Sequence, residues 1–190
     1  MPVNIAARRG AKNQRRKAVV AEKRKAELAL SGIAGQVRQA QTEPIQHCLI
    51  SDTIFEVGMG MVVLARGATP YSLTMATFLL DTLGLGVKDV FLRSLSDRAF
   101  AAHMEYASFG APMAPIEPHH ARKLLHDLVA WARTHGVAPH RDYAKIEPLF
   151  GAVDATASNL KFPFGCLALA KLVDDAVDGE LIEAESNAAD

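Results

Sequence analysis

Apolar positions concentrate in residues 73–93, where only Asp81, Lys88 and Asp89 are charged before Arg93. Residues 59–66 lead into this stretch. Within them, Gly60-Met-Val-Val-Leu-Ala65 is a short β-branched run bounded by glycine, the pattern of a strand covered on both faces. Gly67-Ala-Thr-Pro70 is turn chemistry, because glycine allows unusual φ and proline fixes φ and removes a donor. Residues 73–81 then form the second strand of a buried β-hairpin. On such a strand Leu73, Met75, Thr77 and Leu79 share one face with Asp81, and Thr74, Ala76, Phe78 and Leu80 share the other. Both faces are apolar, so each requires a cover. A helix over 73–83 is the rival reading, since periodicity does not settle a short apolar run. Gly84 and Gly86 argue against a helix continuing to Phe91. Asp81, at the end of the run, is either functional or tied into a cap or turn; buried, it must be paired or hydrogen-bonded.

The other elements follow from the same patterns. Pro44 ends the segment before it, residues 45–50 read as a strand, and Ser51-Asp-Thr reads as a turn. Ser96 is placed to cap a helix running to about Ser108, with Asp97 in its first turn and Phe100, Met104 and Ala107 on its buried stripe; Gly110 stops it. Pro112, Pro115 and Pro118 are spaced three apart, which suits an extended connector over 111–118. Pro118 opens the clearest helix, where Ala121, Leu124, Leu125, Leu128 and Ala132 follow helical spacing and Gly136 follows the end. His119, Arg122 and His126 are assigned to its outer face. Residues 137–151 read as a shorter helical piece capped by Asp142 and interrupted by Pro148, with Tyr143, Ile146, Leu149 and Phe150 in apolar contact. Residues 151–163 read as loop, and 165–177 suit either a helix or a strand. These elements predict an α+β fold, a small, mostly antiparallel sheet packed against several helices.

Composition changes the picture chiefly through charge. The 190 residues carry 21 basic and 21 acidic side chains and no net charge. Residues 1–30 nevertheless hold nine cations, Arg8, Arg9, Lys12, Arg15, Arg16, Lys17, Lys23, Arg24 and Lys25, against Glu22 and Glu27. That is +7 in the lead segment and −7 in the remainder, the asymmetry of an interaction arm. Residues 1–42 therefore read as a basic, partly helical arm, with 1–17 flexible, 18–30 helical and 31–40 docked on the body. Residues 43–178 read as the globular domain and 179–190 as an acidic, frayed tail. From Val173 onward there are seven acids and no base. No apolar signal region follows the basic start, and no run approaches the ~18 apolar residues of a membrane span. Cys48 and Cys166 are expected as reduced, cytosolic thiols, and no membrane partner is expected.

Candidate chemistry is sparse. Six of the seven histidines (His103, His119, His120, His126, His135 and His140) lie between 103 and 140, but neither CxxC nor HExxH is present, so no metal is assigned. No cofactor is expected: Gly84-x-Gly86 lacks the third glycine of a dinucleotide fingerprint. Cys48 has no helix start or basic neighbour in sequence to lower its pKa. His47 beside it faces the opposite way on a strand. Asp52, Asp81, Glu105, Asp127 and Asp142 are the carboxylates from which a two-metal nuclease site could be assembled.

At Gly86-Val-Lys-Asp89 and again at Pro139-His-Arg-Asp-Tyr143, the chain resembles a family of uncharacterised bacterial proteins that pair a Lys/Arg-rich start with such a body. The resemblance covers roughly residues 10–155. It implies a bacterial cytosolic protein and carries no assigned activity, hence no catalytic residue. The leading expectation is a non-enzymatic protein whose nine arm cations contact RNA, DNA or a ribonucleoprotein through phosphates, with little sequence information. No aromatic residue interleaves those cations, so base stacking is not implied. The alternatives are a metal-dependent hydrolase or nuclease using Asp81, Glu105 and Asp142, and an interaction module whose arm pairs with an acidic protein or with its own tail.

Overall fold

The computed structural model describes residues 32–107 and 112–165. The nine arm cations, the 18–30 helix, Gly110 and residues 166–190 lie outside them. In chain order the elements are α1 (Ile33–Ala40), β1 (Ile45–Ser51), α2 (Ile54–Val57), β2 (Met59–Thr69), β3 (Ser72–Asp81), β4 (Gly86–Leu95), α3 (Asp97–Ala107), β5 (Met113–Pro115), α4 (Pro118–Thr134) and α5 (Tyr143–Ile146). A 3-10 turn, Glu147–Phe150, continues α5, and a second one covers Ala155–Ala157. The strands form one antiparallel sheet in the order β4-β3-β2-β1-β5. The fold is α+β, as the apolar pattern predicts.

The expected hairpin is β2–β3, with Met59 opposite Asp81 and Val63 opposite Thr77. Both faces are covered, because the two alternating sets are both apolar. Val62, Leu64, Ala76, Phe78 and Leu80 enter the larger core. Met61, Val63, Ala65, Leu73 and Met75 form a second cluster with Phe100 of α3 on the opposite face. Helix α4 lies over the larger core and buries Ala121, Leu124, Leu125, Leu128, Val129 and Ala132. Burial of each large aliphatic side chain contributes about 1.5–3 kcal/mol, so α4 is the main lid of the sheet. Pro118 stands in its first turn and Gly136 follows its end at φ +77°. Val37 and Ala40 of α1 are buried in the same core, and α1 packs on α5 and the 3-10 turn, as expected of residues 31–40.

Several expectations are corrected. The turn is tighter than 67–70: β2 runs to Thr69, and a bulge between Arg66 and Thr69 absorbs Gly67 and Ala68. The Gly67 N–H donates to the Pro44 carbonyl instead of turning the chain. A third strand, β4, completes the meander where the sequence reading assigned none. Its alternation is broken by a register shift opposite Leu79 and Leu80, which leaves Lys88 exposed and Val87 and Val90 in the core. The proline-spaced connector is extended, but it is also the short edge strand β5; proline is tolerated at such an edge. The Ser51-Asp-Thr turn leads into a short helix, α2. Asp142 precedes α5 but makes no side-chain cap bond, because its carboxylate accepts from the Lys145 ammonium at 2.6 Å. Pro148 does not stop residues 143–150; the helix tightens there to 3-10 geometry.

Candidate anion-binding site

The three carboxylates considered for catalysis are not brought together. Asp81 Oδ1 accepts from the backbone N–H groups of Leu83 and Gly84, at 3.0 and 2.9 Å, so it caps the β3–β4 turn. Glu105 rides on α3, on the sheet face of the smaller cluster. Asp142 belongs to the segment packed on the opposite face. The Lys145 hydrogen bond holds its carboxyl below the ordinary value. Asp127 is paired with Lys123. Among the described residues no group of three His, Cys, Asp or Glu side chains is placed to hold a metal ion.

The histidines are dispersed among different partners. His47 stacks on Phe100 at 4.2 Å and its Nε2 lies 2.6 Å from Asp97 Oδ1. His120 Nδ1 lies 2.7 Å from Ser158 Oγ, and His140 Nε2 lies 3.5 Å from Asp89. Cys48 faces the larger core, where burial and the nearby Glu117 charge push its thiol up to about 12. A thiol so protonated is a poor nucleophile at neutral pH. No helix among the described residues is long and apolar enough to cross a membrane.

A different constellation forms where α1 ends, above β2. Arg66 follows Val62 and Leu64 on the same face of β2 and is therefore carried into the interior; only 7% of it is exposed. Its Nη1 donates to the Glu43 carbonyl and its Nη2 to the Phe150 carbonyl at 2.6 Å. Its Nε is buried without a hydrogen-bond partner among the described residues. Burial, then the Arg122 charge, lowers the Arg66 pKa.

Arg122 of α4 is the second guanidinium, and its outer-face assignment is corrected here. Only 19% of its side chain is exposed, because the 147–153 segment folds over that side of α4. Arg122 Nε donates to Glu147 Oε1 at 2.7 Å, and Nη1 donates to the carbonyls of Gly151 and Val153 at 3.0 and 2.5 Å. Its Cζ stands 5.9 Å from the centre of the Phe150 ring. His126 Nε2 lies 2.8 Å from the same Glu147 oxygen. Burial works to raise the Glu147 carboxyl, but hydrogen bonds from His126 and Arg122 outweigh it and hold it below the ordinary value.

Gly151 locks the arrangement. It has φ +59°, and a Cβ there would collide with the Gln41 carbonyl oxygen and stand 3.2 Å from Arg66 Nη2. Gln41, Thr42, Arg66, Arg122, Glu147 and Gly151 line an open pocket of about 770 Å³. Two guanidinium groups face one carboxylate, so the pocket carries a net positive charge. The sequence reading missed it, taking Arg66 as no more than the end of an apolar run. The available signal was its parity with Val62 and Leu64, which aims a cation at the core. No protein-family model, curated protein or solved structure matches the chain.

Proposed function

We propose that the protein is a bacterial cytosolic polyanion-binding protein whose basic lead segment contacts RNA, DNA or a ribonucleoprotein while the α+β body anchors it. The observation that supports this is the distribution of charge. Residues 1–30 hold nine cations against two anions, whereas the described body holds eleven against twelve and is close to neutral. Cations supplied without interleaved aromatics bind phosphates and release counterions, so affinity depends on salt and little on sequence. Helix α1, seated in the core by Val37 and Ala40, begins eight residues after the last cation of the lead segment, Lys25.

The test is fluorescence anisotropy with labelled single-stranded RNA and duplex DNA of several unrelated sequences. Replacing Arg15, Arg16 and Lys17 with glutamine should weaken binding to every sequence alike and flatten the log–log salt dependence by about 1 for each cation removed. Unchanged binding in that variant would sink the reading. Binding that rises on deleting residues 179–190 would identify the acidic tail as a competitor for the same cations.

A further inference from the structure

We infer that the pocket between Arg66 and Arg122 binds a small oxyanion, the carboxylate or phosphate group of a soluble metabolite. The first ground is an uncompensated buried charge. Arg66 is nine-tenths buried, yet no described carboxylate pairs with it. Carbonyl dipoles from Glu43 and Phe150 satisfy two of its N–H groups and leave its positive charge unneutralised. A buried ion without a counter-ion is costly, and an entering anion recovers that cost. The bland alternative is a structural clamp stapling the 147–153 segment. A clamp accounts for the two carbonyl bonds of Arg66 but not for its Nε, unpartnered among the described residues, or its uncompensated charge.

The second ground is orientation. Carbonyls of Phe150, Gly151 and Val153 fix both guanidinium planes, and Glu147 fixes Arg122 from the side. Arg122 Nη2 and the second N–H of each Arg66 Nη make none of these bonds; donors held in fixed planes suit the oxygens of carboxylate or phosphate, and presetting reduces the entropy lost on binding. The third ground is space. A pocket of about 770 Å³ exceeds the needs of one phosphate and admits the body of a small molecule carrying one. Its net charge excludes a cationic ligand. This site is independent of the lead segment, so it stands or falls apart from the polyanion reading.

The experiment is a thermal-melt titration of the full chain with inorganic phosphate, malonate and chloride at matched ionic strength, repeated by amide NMR. Phosphate or malonate should raise the midpoint saturably, by about 5 °C at a concentration 100 times Kd, while chloride does not. The tighter of the two identifies the headgroup class. Amide shifts should centre on Gly151, Ala152 and Val153. Arg122→Lys keeps the charge and removes the planar guanidinium donors, and should weaken the effect at least tenfold. Thr42→Glu places a carboxylate at the exposed mouth, and should abolish the effect while keeping or raising the melting midpoint in chloride. A midpoint indifferent to phosphate and malonate overturns the inference. So does an equal response in Thr42→Glu, and so do amide shifts confined to residues 1–30, which would assign the ion to the lead segment.

Discussion

At the scale of single residues, Gly151 and Glu147 carry the sharpest expectations. Alanine at 151 is forced into a left-handed φ and against the Gln41 carbonyl, so Gly151→Ala should cost about 1–3 kcal/mol from backbone strain alone. Chemical denaturation measures this, with the midpoint falling and the slope kept. Glu147 is a carboxyl whose folded pKa is depressed below the ordinary 4.5. Its contribution is therefore complete above about pH 4.5 and is lost as the pH falls through the depressed folded value. Glu147→Gln should be less stable than wild type at neutral pH, and the gap should close in acid. A gap constant from pH 7 to pH 3 would show that the carboxylate charge is not what Arg122 and His126 hold. At this scale the sequence was legible wherever side chains followed an apolar period, as Leu124, Leu125 and Leu128 do. It was not legible at Arg66, Arg122 and Glu147. Their partners are backbone carbonyls and side chains 21 to 84 residues away, and composition records no such distance.

At the scale of elements, α3 and α4 behave differently because they cover unequal clusters. Helix α4 seats six buried residues, whereas α3 docks through Phe100, with Met104 beside it and the His47–Asp97 pair at its start. Leu128→Ala should remove about 2–5 kcal/mol from global stability. Phe100→Ala should instead free α3 locally: its amides should lose protection in hydrogen exchange while those of α4 and β3 keep theirs. Equal loss of protection across all three elements would mean that the two faces of the sheet unfold as one. Strands β1, β2 and β3 and helices α3 and α4 were readable from period and punctuation. Strand β4 was not, since a register shift at Leu79/Leu80 disrupts its alternation and sets Lys88 and Asp89 in its middle. Strand β5 was hidden by its prolines, because its three residues gain strand geometry only from the neighbouring β1.

At the scale of the whole molecule, charge is sorted along the chain. The lead thirty residues are strongly basic, the described body is nearly balanced, and the residues after Gly165 carry Lys171 against seven acids. The two charged ends can neutralise each other or meet outside partners, and the balanced body between them favours neither. What separates these outcomes is how many counterions are released on binding. The direct measurement is the equilibrium constant of the full chain for duplex DNA across a range of salt concentrations. Seven net phosphates neutralised by the lead segment predict a log–log slope of about −6, lost when residues 1–30 are removed. A slope near zero, or the same slope without those residues, contradicts the account.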